Sequence, residues 1–395
     1  MLEQFRNASI GHQAATPLNN DCYETVISRA DFARSWQEIT QWPGYTATPL
    51  HELQGLAEKL QINNIFYKDE GPRFGLGSFK ALGGAYAAIC LVQRELERQF
   101  SIQASSQQIR EGRYIEQVAA ITLVSATDGN HGRSLAWGAR MIGAPCRIYI
   151  HKEVSEGREK AMQELGAHVI RIEGDYDESV EQARVDAESN DWFVVSDTSW
   201  EGYTQPPTDV MAGYGVMVRE SVEALQQPPS HVFLQGGVGG LAAGVAAALH
   251  QAYGDQKPRM IVVEPELAAC LFVSAGSGQP TDVTIEQESI MAGLSCGAPS
   301  ALAWSVLQSE CTDFLTIPDA LIPPIMRTLA RPDNNDPAIE AGESAVAGLA
   351  ALMATAIQPV LRDQLGLTEQ STVLIIGSEG ATDADIYARV MAGKI

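Results

Sequence analysis

The sequence predicts an α/β chain of two lobes, each an open, twisted, mostly parallel sheet with helices on both faces. Three observations carry this. Apolar β-rich runs alternate with helical stretches through most of the chain, as in residues 64–68, 146–150, 168–172, 231–234, 259–263 and 372–376. Three polar or glycine-rich loops each follow a strand-like run or open a helix, where ligands bind in such folds. At 395 residues, the chain exceeds a typical single domain, so two lobes with a cleft between them are expected.

Taken in order, residues 64–68 read as a strand followed by a helix from Ser78. Residues 119–124 lead through a polar loop into a helical stretch at 134–139. The strand 146–150 precedes a helix near 156–165, and 168–172 precedes an acidic helix at 176–188. Residues 231–234 enter a glycine loop and a small-residue helix at 241–249, and the last strand, 372–376, precedes a terminal helix from Asp383. Pro206-Pro207 and Pro228-Pro229 read as loop markers, and 275–280 as a flexible excursion. No internal repeat or low-complexity tract interrupts this order.

The formal charge of −22, from 49 acidic and 27 basic residues, opposes binding to nucleic acid or to an anionic membrane surface. The stretch 236–249 is too short and too rich in glycine for a membrane span, and residues 1–10 carry charges and no apolar run of a secretory leader. The 6 cysteines (Cys22, Cys90, Cys146, Cys270, Cys296 and Cys311) form no CxxC pair, and the 7 histidines form no HExxH pattern. No metal site is therefore expected, and a reducing cytoplasm is the default location.

In Gly77-Ser78-Phe79-Lys80-Ala81-Leu82-Gly83-Gly84, a lysine stands at a helix start among apolar residues and glycines. Desolvation and the helix dipole both disfavour its ammonium there, which suits an amine nucleophile; a snorkelling surface lysine is the bland alternative. Ser125-Ala126-Thr127-Asp128-Gly129-Asn130-His131 turns backbone N–H groups toward one point, fit for a carboxylate, though an ordinary capped turn has the same composition. In Gln235-Gly236-Gly237-Val238-Gly239-Gly240, four glycines let the backbone close on a phosphate at a helix N-terminus. The same loop fits a G-x-G-x-x-A dinucleotide fingerprint through Gly237, Gly239 and Ala242. Glu264 then stands where a ribose-binding carboxylate belongs, so a nicotinamide oxidoreductase stays open at this point.

With these elements in this order, the chain resembles the fold-type II pyridoxal-phosphate enzymes. Asp128 before Gly129-Asn130-His131, together with Asp197-Thr198-Ser199-Trp200-Glu201-Gly202-Tyr203, the 291–297 segment and the 378–383 segment, resembles the diaminopropionate ammonia-lyase family. The resemblance runs from about residue 48 to the C-terminus. It implies pyridoxal 5'-phosphate as cofactor, a small amino-acid substrate and a homodimer. It also implies a small domain at 86–205 inserted in a large cofactor-binding domain of 1–85 and 206–395.

Residue by residue, it implies that Lys80 holds the cofactor as an imine, that Gly236, Gly237, Val238, Gly239 and Gly240 hold its phosphate, and that Phe79 packs beside its ring. Asn130 is implied at the ring oxygen and Ser378 at the pyridine nitrogen, with a turn cap as the alternative for Ser378. The substrate carboxylate is assigned to the Ser125–Asn130 segment, with Ser125, Thr127 and Asp128 as contacts. Lys80, Asp128 and Asp197 are the catalytic candidates, Asp128 as holder of the β-ammonium and as base for a D-substrate. Asp197 reads equally as a strand-end cap. The implied reaction is elimination of 2,3-diaminopropionate, D and L, to pyruvate and ammonia; a serine or threonine dehydratase shares every cofactor element. Cys270 and Cys296, both bordering the cleft in this family, are a candidate pair for bridging on oxidation.

Overall fold

The computed structural model describes residues 2–18, 22–127, 129–333 and 335–395. The chain forms two compact units, one of Met1–Ala30, Thr46–Phe79 and Met217–Ile395, the other of Asp31–Tyr45 and Lys80–Val216.

In the larger unit, seven strands among the described residues form one sheet in the order Gly11–Ala14, Asp313–Ile317, Arg259–Pro265, His231–Gln235, Thr372–Gly377, Asn64–Asp69, Leu50–Glu52. The five inner strands run parallel and only the two edge strands are antiparallel. Central strands read as unbroken apolar runs because both faces are covered: His231–Gln235 is buried at every position. The buried helix Ala347–Ile357 covers one face. Its approach requires a glycine, since a Cβ on Gly348 would stand 3.1 Å from the Phe233 carbonyl oxygen.

The strand order places His231–Gln235, Thr372–Gly377 and Asn64–Asp69 side by side. Their carboxyl ends feed the glycine loop, the Ser378 turn and the lead-in to Lys80, so three sequence-distant segments leave neighbouring strands at the same end of the sheet.

The smaller unit holds a four-stranded parallel sheet among the described residues, in the order His168–Arg171, Cys146–Ile150, Leu123–Ala126, Phe193–Val194. Here Leu123–Ala126 and Phe193–Val194 are neighbours, which brings the 127–131 loop beside the segment that carries Asp197. Residues 31–45, read from sequence as part of the larger domain, group with this unit. Ser35 Oγ donates to the Ala212 carbonyl at 2.7 Å, and the Phe32 ring fills the space left by Gly215.

Several elements depart from the sequence expectation. The strand expected at 119–124 is Leu123–Ala126, because Ile115–Ala119 closes a short helix first. Pro206 and Pro207 stand in the first turn of the helix Gln205–Ala224, where a missing N–H costs no helical bond. The excursion expected at 275–280 begins later, since the helix Cys270–Ser277 runs through its first residues.

Candidate active site

In the larger unit, Gly236 N donates to Val263 O at 2.8 Å, tying the glycine loop to the adjacent strand. Gly237 and Gly239 have φ of +66° and +97°, a region open to glycine at little cost. A Cβ on Gly237 would lie 3.3 Å from Gly293 O, so the loop is also closely lined. Gly239 precedes the helix Gly240–Tyr253, whose N-terminus has no side-chain cap among the described residues. Orphan N–H groups at an uncapped helix start behind a glycine loop are the donors that a phosphate needs, so the residues present fit the phosphate end of pyridoxal phosphate. Gln235, at the entrance, donates through Nε2 to Ala345 O at 3.0 Å, while its buried Oε1 has no hydrogen-bond partner among the described residues.

Glu264 does not serve a ribose. It is fully buried, with its oxygens accepting Leu271 N at 3.0 Å and Phe272 N at 2.7 Å, so it caps the helix Cys270–Ser277. Burial pushes its carboxyl up to about 8 against the pull of those two amides. Gly236 is required beside it, because a Cβ there would collide with Glu264 Cγ. This removes the carboxylate on which the nicotinamide reading depended.

Cys270 and Cys296 form no disulfide among the described residues, and both stand next to Gly237. Cys270 Sγ lies 3.5 Å from Gly237 O, and Cys296 Sγ lies 3.6 Å from where a Gly237 Cβ would stand. Burial, with Glu264 beside it, pushes the Cys270 thiol up and keeps it protonated.

The lead-in to Lys80 is fixed by buried charge. Arg73 donates to Glu70 Oε1 and Oε2, both at 2.8 Å, and to Glu220 Oε1 and Oε2 at 2.8 and 2.7 Å; Lys68 Nζ donates to Glu220 Oε2 at 2.6 Å. All four side chains are at most 2 % exposed, so each charge is compensated without water. The turn they hold runs into Phe79, whose N–H donates to Ser378 O at 2.9 Å, and Gly380 N donates to Gly77 O at 2.9 Å. Phe79 and Ser378 are both buried. Asp383, and not Ser378, caps the last helix through its side chain to Ile386 N at 3.1 Å.

In the smaller unit, Lys80 opens the helix Lys80–Phe100, and its carbonyl accepts Ser134 Oγ at 2.6 Å. Its Nζ is ion-paired with Asp197 Oδ2, the two side chains 23 % and 22 % exposed. His131 is buried; its Nε2 bonds the Val195 carbonyl at 2.9 Å and its Nδ1 lies 3.9 Å from Asp197 Oδ2. A carbonyl only accepts, so Nε2 carries the hydrogen and neutral Nδ1 presents a lone pair. Burial lowers the His131 pKa, Asp197 opposes this and Lys80 reinforces it, so the ring is neutral at neutral pH. For Asp197, burial alone would raise the pKa, but the Lys80 ammonium outweighs it and holds the carboxyl well below the usual carboxylate range. Two acceptors thus converge beside one ammonium, an arrangement that holds N–H cations and moves protons among them.

Sequence alone assigns no role to His131, although it stands in the loop motif. The local signal is a histidine one residue past an Asn that opens a helix; the partner, Val195 O, lies just past the neighbouring strand Phe193–Val194 and is invisible locally.

The carboxylate seat expected at Ser125–Asn130 is narrower than the sequence suggested. Ser125 is a strand residue opposite Ile148 and 1 % exposed, so the sheet holds it. Thr127 N donates to Tyr149 O at 3.1 Å, and Thr127 Oγ1 accepts Gly129 N at 3.3 Å. What remains for an anion is the start of the helix Asn130–Ile142, which has no side-chain cap among the described residues. Asp128 lies outside the described residues. Among those described, no group of three or more His, Cys, Asp or Glu side chains could hold a metal ion, and no helix is long and apolar enough to cross a membrane.

A pyridoxal-phosphate dependent enzyme family model matches residues 41–379. The chain is 38% identical over 370 residues to the diaminopropionate ammonia-lyase of Escherichia coli (strain K12), covering 92% of this chain and 91% of that protein. It is 35% identical over 359 residues to the Salmonella typhimurium (strain LT2) diaminopropionate ammonia-lyase, covering 88% and 89%. The crystal structure of the Escherichia coli enzyme in complex with an aminoacrylate-PLP azomethine reaction intermediate superposes with a TM-score of 0.86 at 34% identity, covering 98% of each chain. With a cofactor-family match over most of its length and relatives of this identity and coverage, the chain belongs to the diaminopropionate ammonia-lyase family of the pyridoxal-phosphate dependent enzymes.

Proposed function

We propose that the chain catalyses the α,β-elimination of 2,3-diaminopropionate, in both enantiomers, consuming one water and releasing pyruvate and two ammonia. The observation that carries this reading is the pair of acceptors, Asp197 Oδ2 and His131 Nδ1, facing each other at 3.9 Å beside Lys80 Nζ. A substrate with an ammonium at Cβ satisfies both acceptors, whereas the hydroxyl of serine brings one donor and no charge.

The cofactor, when bound, supplies an electron sink for the pair left at Cα when a proton is removed. Lys80 would carry it covalently, the 236–240 backbone would hold its phosphate, and Phe79, Asn130 and Ser378 would position its ring. The Lys80 amine, once released, takes the α-proton of the L-substrate from its own face. Asp197, kept ionised, holds the β-nitrogen as an ammonium, so that when the Cβ–N bond breaks the bonding pair cancels its charge and neutral ammonia leaves. His131 Nδ1, the second acceptor, takes another N–H of that ammonium. Asp128 is the base on the opposite face for the D-substrate. On the family resemblance, the enzyme works as a homodimer in the cytoplasm.

The deciding measurement is the release of pyruvate and ammonia from 2,3-diaminopropionate, serine and threonine, each as both enantiomers. Two ammonia per pyruvate, with a kcat/KM on diaminopropionate at least about tenfold above that on serine, is expected; faster turnover of serine or threonine overturns the reading. Asp128→Asn is expected to lose D-isomer turnover by about a hundredfold or more and the L-isomer by much less. Equal losses assign Asp128 a shared binding role instead.

A further inference from the structure

Asp197 follows a strand of only two residues, Phe193–Val194, so the sheet by itself offers few bonds to hold the segment that presents it. The segment is instead closed on itself. Tyr203 Oη donates to Val194 O at 3.0 Å and accepts Ser196 N at 2.9 Å, straddling the chain immediately before Asp197. Its ring stacks on Trp200 with centroids 3.9 Å apart and planes 7° from parallel. Trp200 and Tyr203 also exchange both backbone hydrogen bonds, at 3.3 and 3.0 Å, around Gly202 with φ +80°. Within the loop, Ser196 Oγ accepts Thr198 N at 3.2 Å. Burial raises the Tyr203 pKa, so the phenol stays neutral and can donate and accept at once.

We propose that Tyr203 is a positioning residue for Asp197, its hydroxyl clamping the backbone on both sides of Val195 and so fixing the carboxylate beside Lys80. The clamp also fixes Val195 O, the acceptor that sets the His131 tautomer. Both acceptors of the proposed ammonium seat thus depend on one phenolic oxygen. The stack on Trp200, which is 42 % exposed, keeps the phenol from swinging away. Loss of the clamp lets the loop drift, and displacements of about 1 Å at reacting groups cost about a hundredfold. The proposal rests on the reading of Asp197 as a group that holds the β-nitrogen.

The test is a double-mutant cycle with an independent structural readout. Tyr203→Phe keeps the ring on Trp200 and removes only the hydroxyl. It is expected to lower kcat on 2,3-diaminopropionate by about tenfold, and by less than about twofold in an Asp197→Asn background. In the same variant, hydrogen exchange at the Ser196 amide should accelerate by about tenfold or more, while the Val195 amide, which donates to Val124 O at 2.8 Å, stays protected. Equal loss in both backgrounds, no loss in the wild-type background, or faster exchange at Val195 as well overturns the proposal. An Asp197→Asn variant with undiminished turnover overturns the function reading on which it rests, and that single variant reveals it without reference to Tyr203.

Discussion

The glycine loop of the larger unit and the Lys80–Asp197–His131 cluster of the smaller one are built on opposite principles. The loop is made of backbone: its selectivity lies in φ angles, absent side chains and the uncapped start of the helix Gly240–Tyr253. It is carried by the strand His231–Gln235, whose neighbours Arg259–Pro265 and Thr372–Gly377 are, like it, almost wholly buried, so its geometry is inherited from a rigid core. The cluster is made of side-chain charge on three separate segments, and it sits beside a sheet of short strands. A backbone site tolerates loss of charge but no added atom; a charge site tolerates small changes of volume but no change of proton count.

The largest effect on this contrast is expected at Lys80. Lys80→Ala is expected to lower turnover by at least about a thousandfold, while the glycine loop still takes up the cofactor without a covalent link. Peptide mapping after borohydride reduction should find the cofactor mass on Lys80 in the wild type and nowhere in the variant; a label on another lysine sinks the assignment.

Next comes Asp197→Asn, isosteric and neutral, expected to lose about a hundredfold in kcat with cofactor affinity little changed. Because the carboxyl is held below its ordinary value in the folded chain, its stability contribution is present above about pH 4 and fades as pH falls through its folded value. The difference in Tm between wild type and variant should therefore shrink on acidification below about pH 4. A difference that grows there contradicts the ion pair.

Gly239→Val addresses the other principle. It forces a β-branched residue into φ +97° with Leu307 Cδ1 and Ala303 Cβ within 3.1 and 3.2 Å of the new Cβ. Cofactor affinity, followed by equilibrium dialysis, should weaken by about tenfold or more. Unchanged affinity moves the phosphate away from this loop.

The smallest effect is expected at Glu264. Its folded pKa, up to about 8, exceeds the ordinary carboxylate value, so the folded chain retains a proton that the unfolded chain releases. The stabilisation is complete below the unfolded pKa of about 4.3 and is lost as pH rises through the folded value. Glu264→Gln should match the wild-type Tm near pH 5 and exceed it by about 2–4 °C above pH 8. Parallel Tm profiles across that window would show that the two helix amides keep the carboxylate ionised throughout.

The α/β class, the glycine loop and the lysine at a helix start were legible in the chain alone. Each is written in a short stretch: apolar β-rich runs alternating with helical ones, four glycines before a small-residue helix, and one lysine behind Phe79. Only the tertiary structure decided that Asp197 meets Lys80 and His131, because that depends on Leu123–Ala126 and Phe193–Val194 being neighbours in the small sheet. It also decided that Glu264, correctly spaced for a ribose, turns inward to cap a helix, and that Pro206 and Pro207 open a helix instead of a loop. The physical reason is range: backbone conformation and apolar period are set by residues a few positions apart, whereas a side chain's charge state and partners are set by whichever strands the fold makes adjacent.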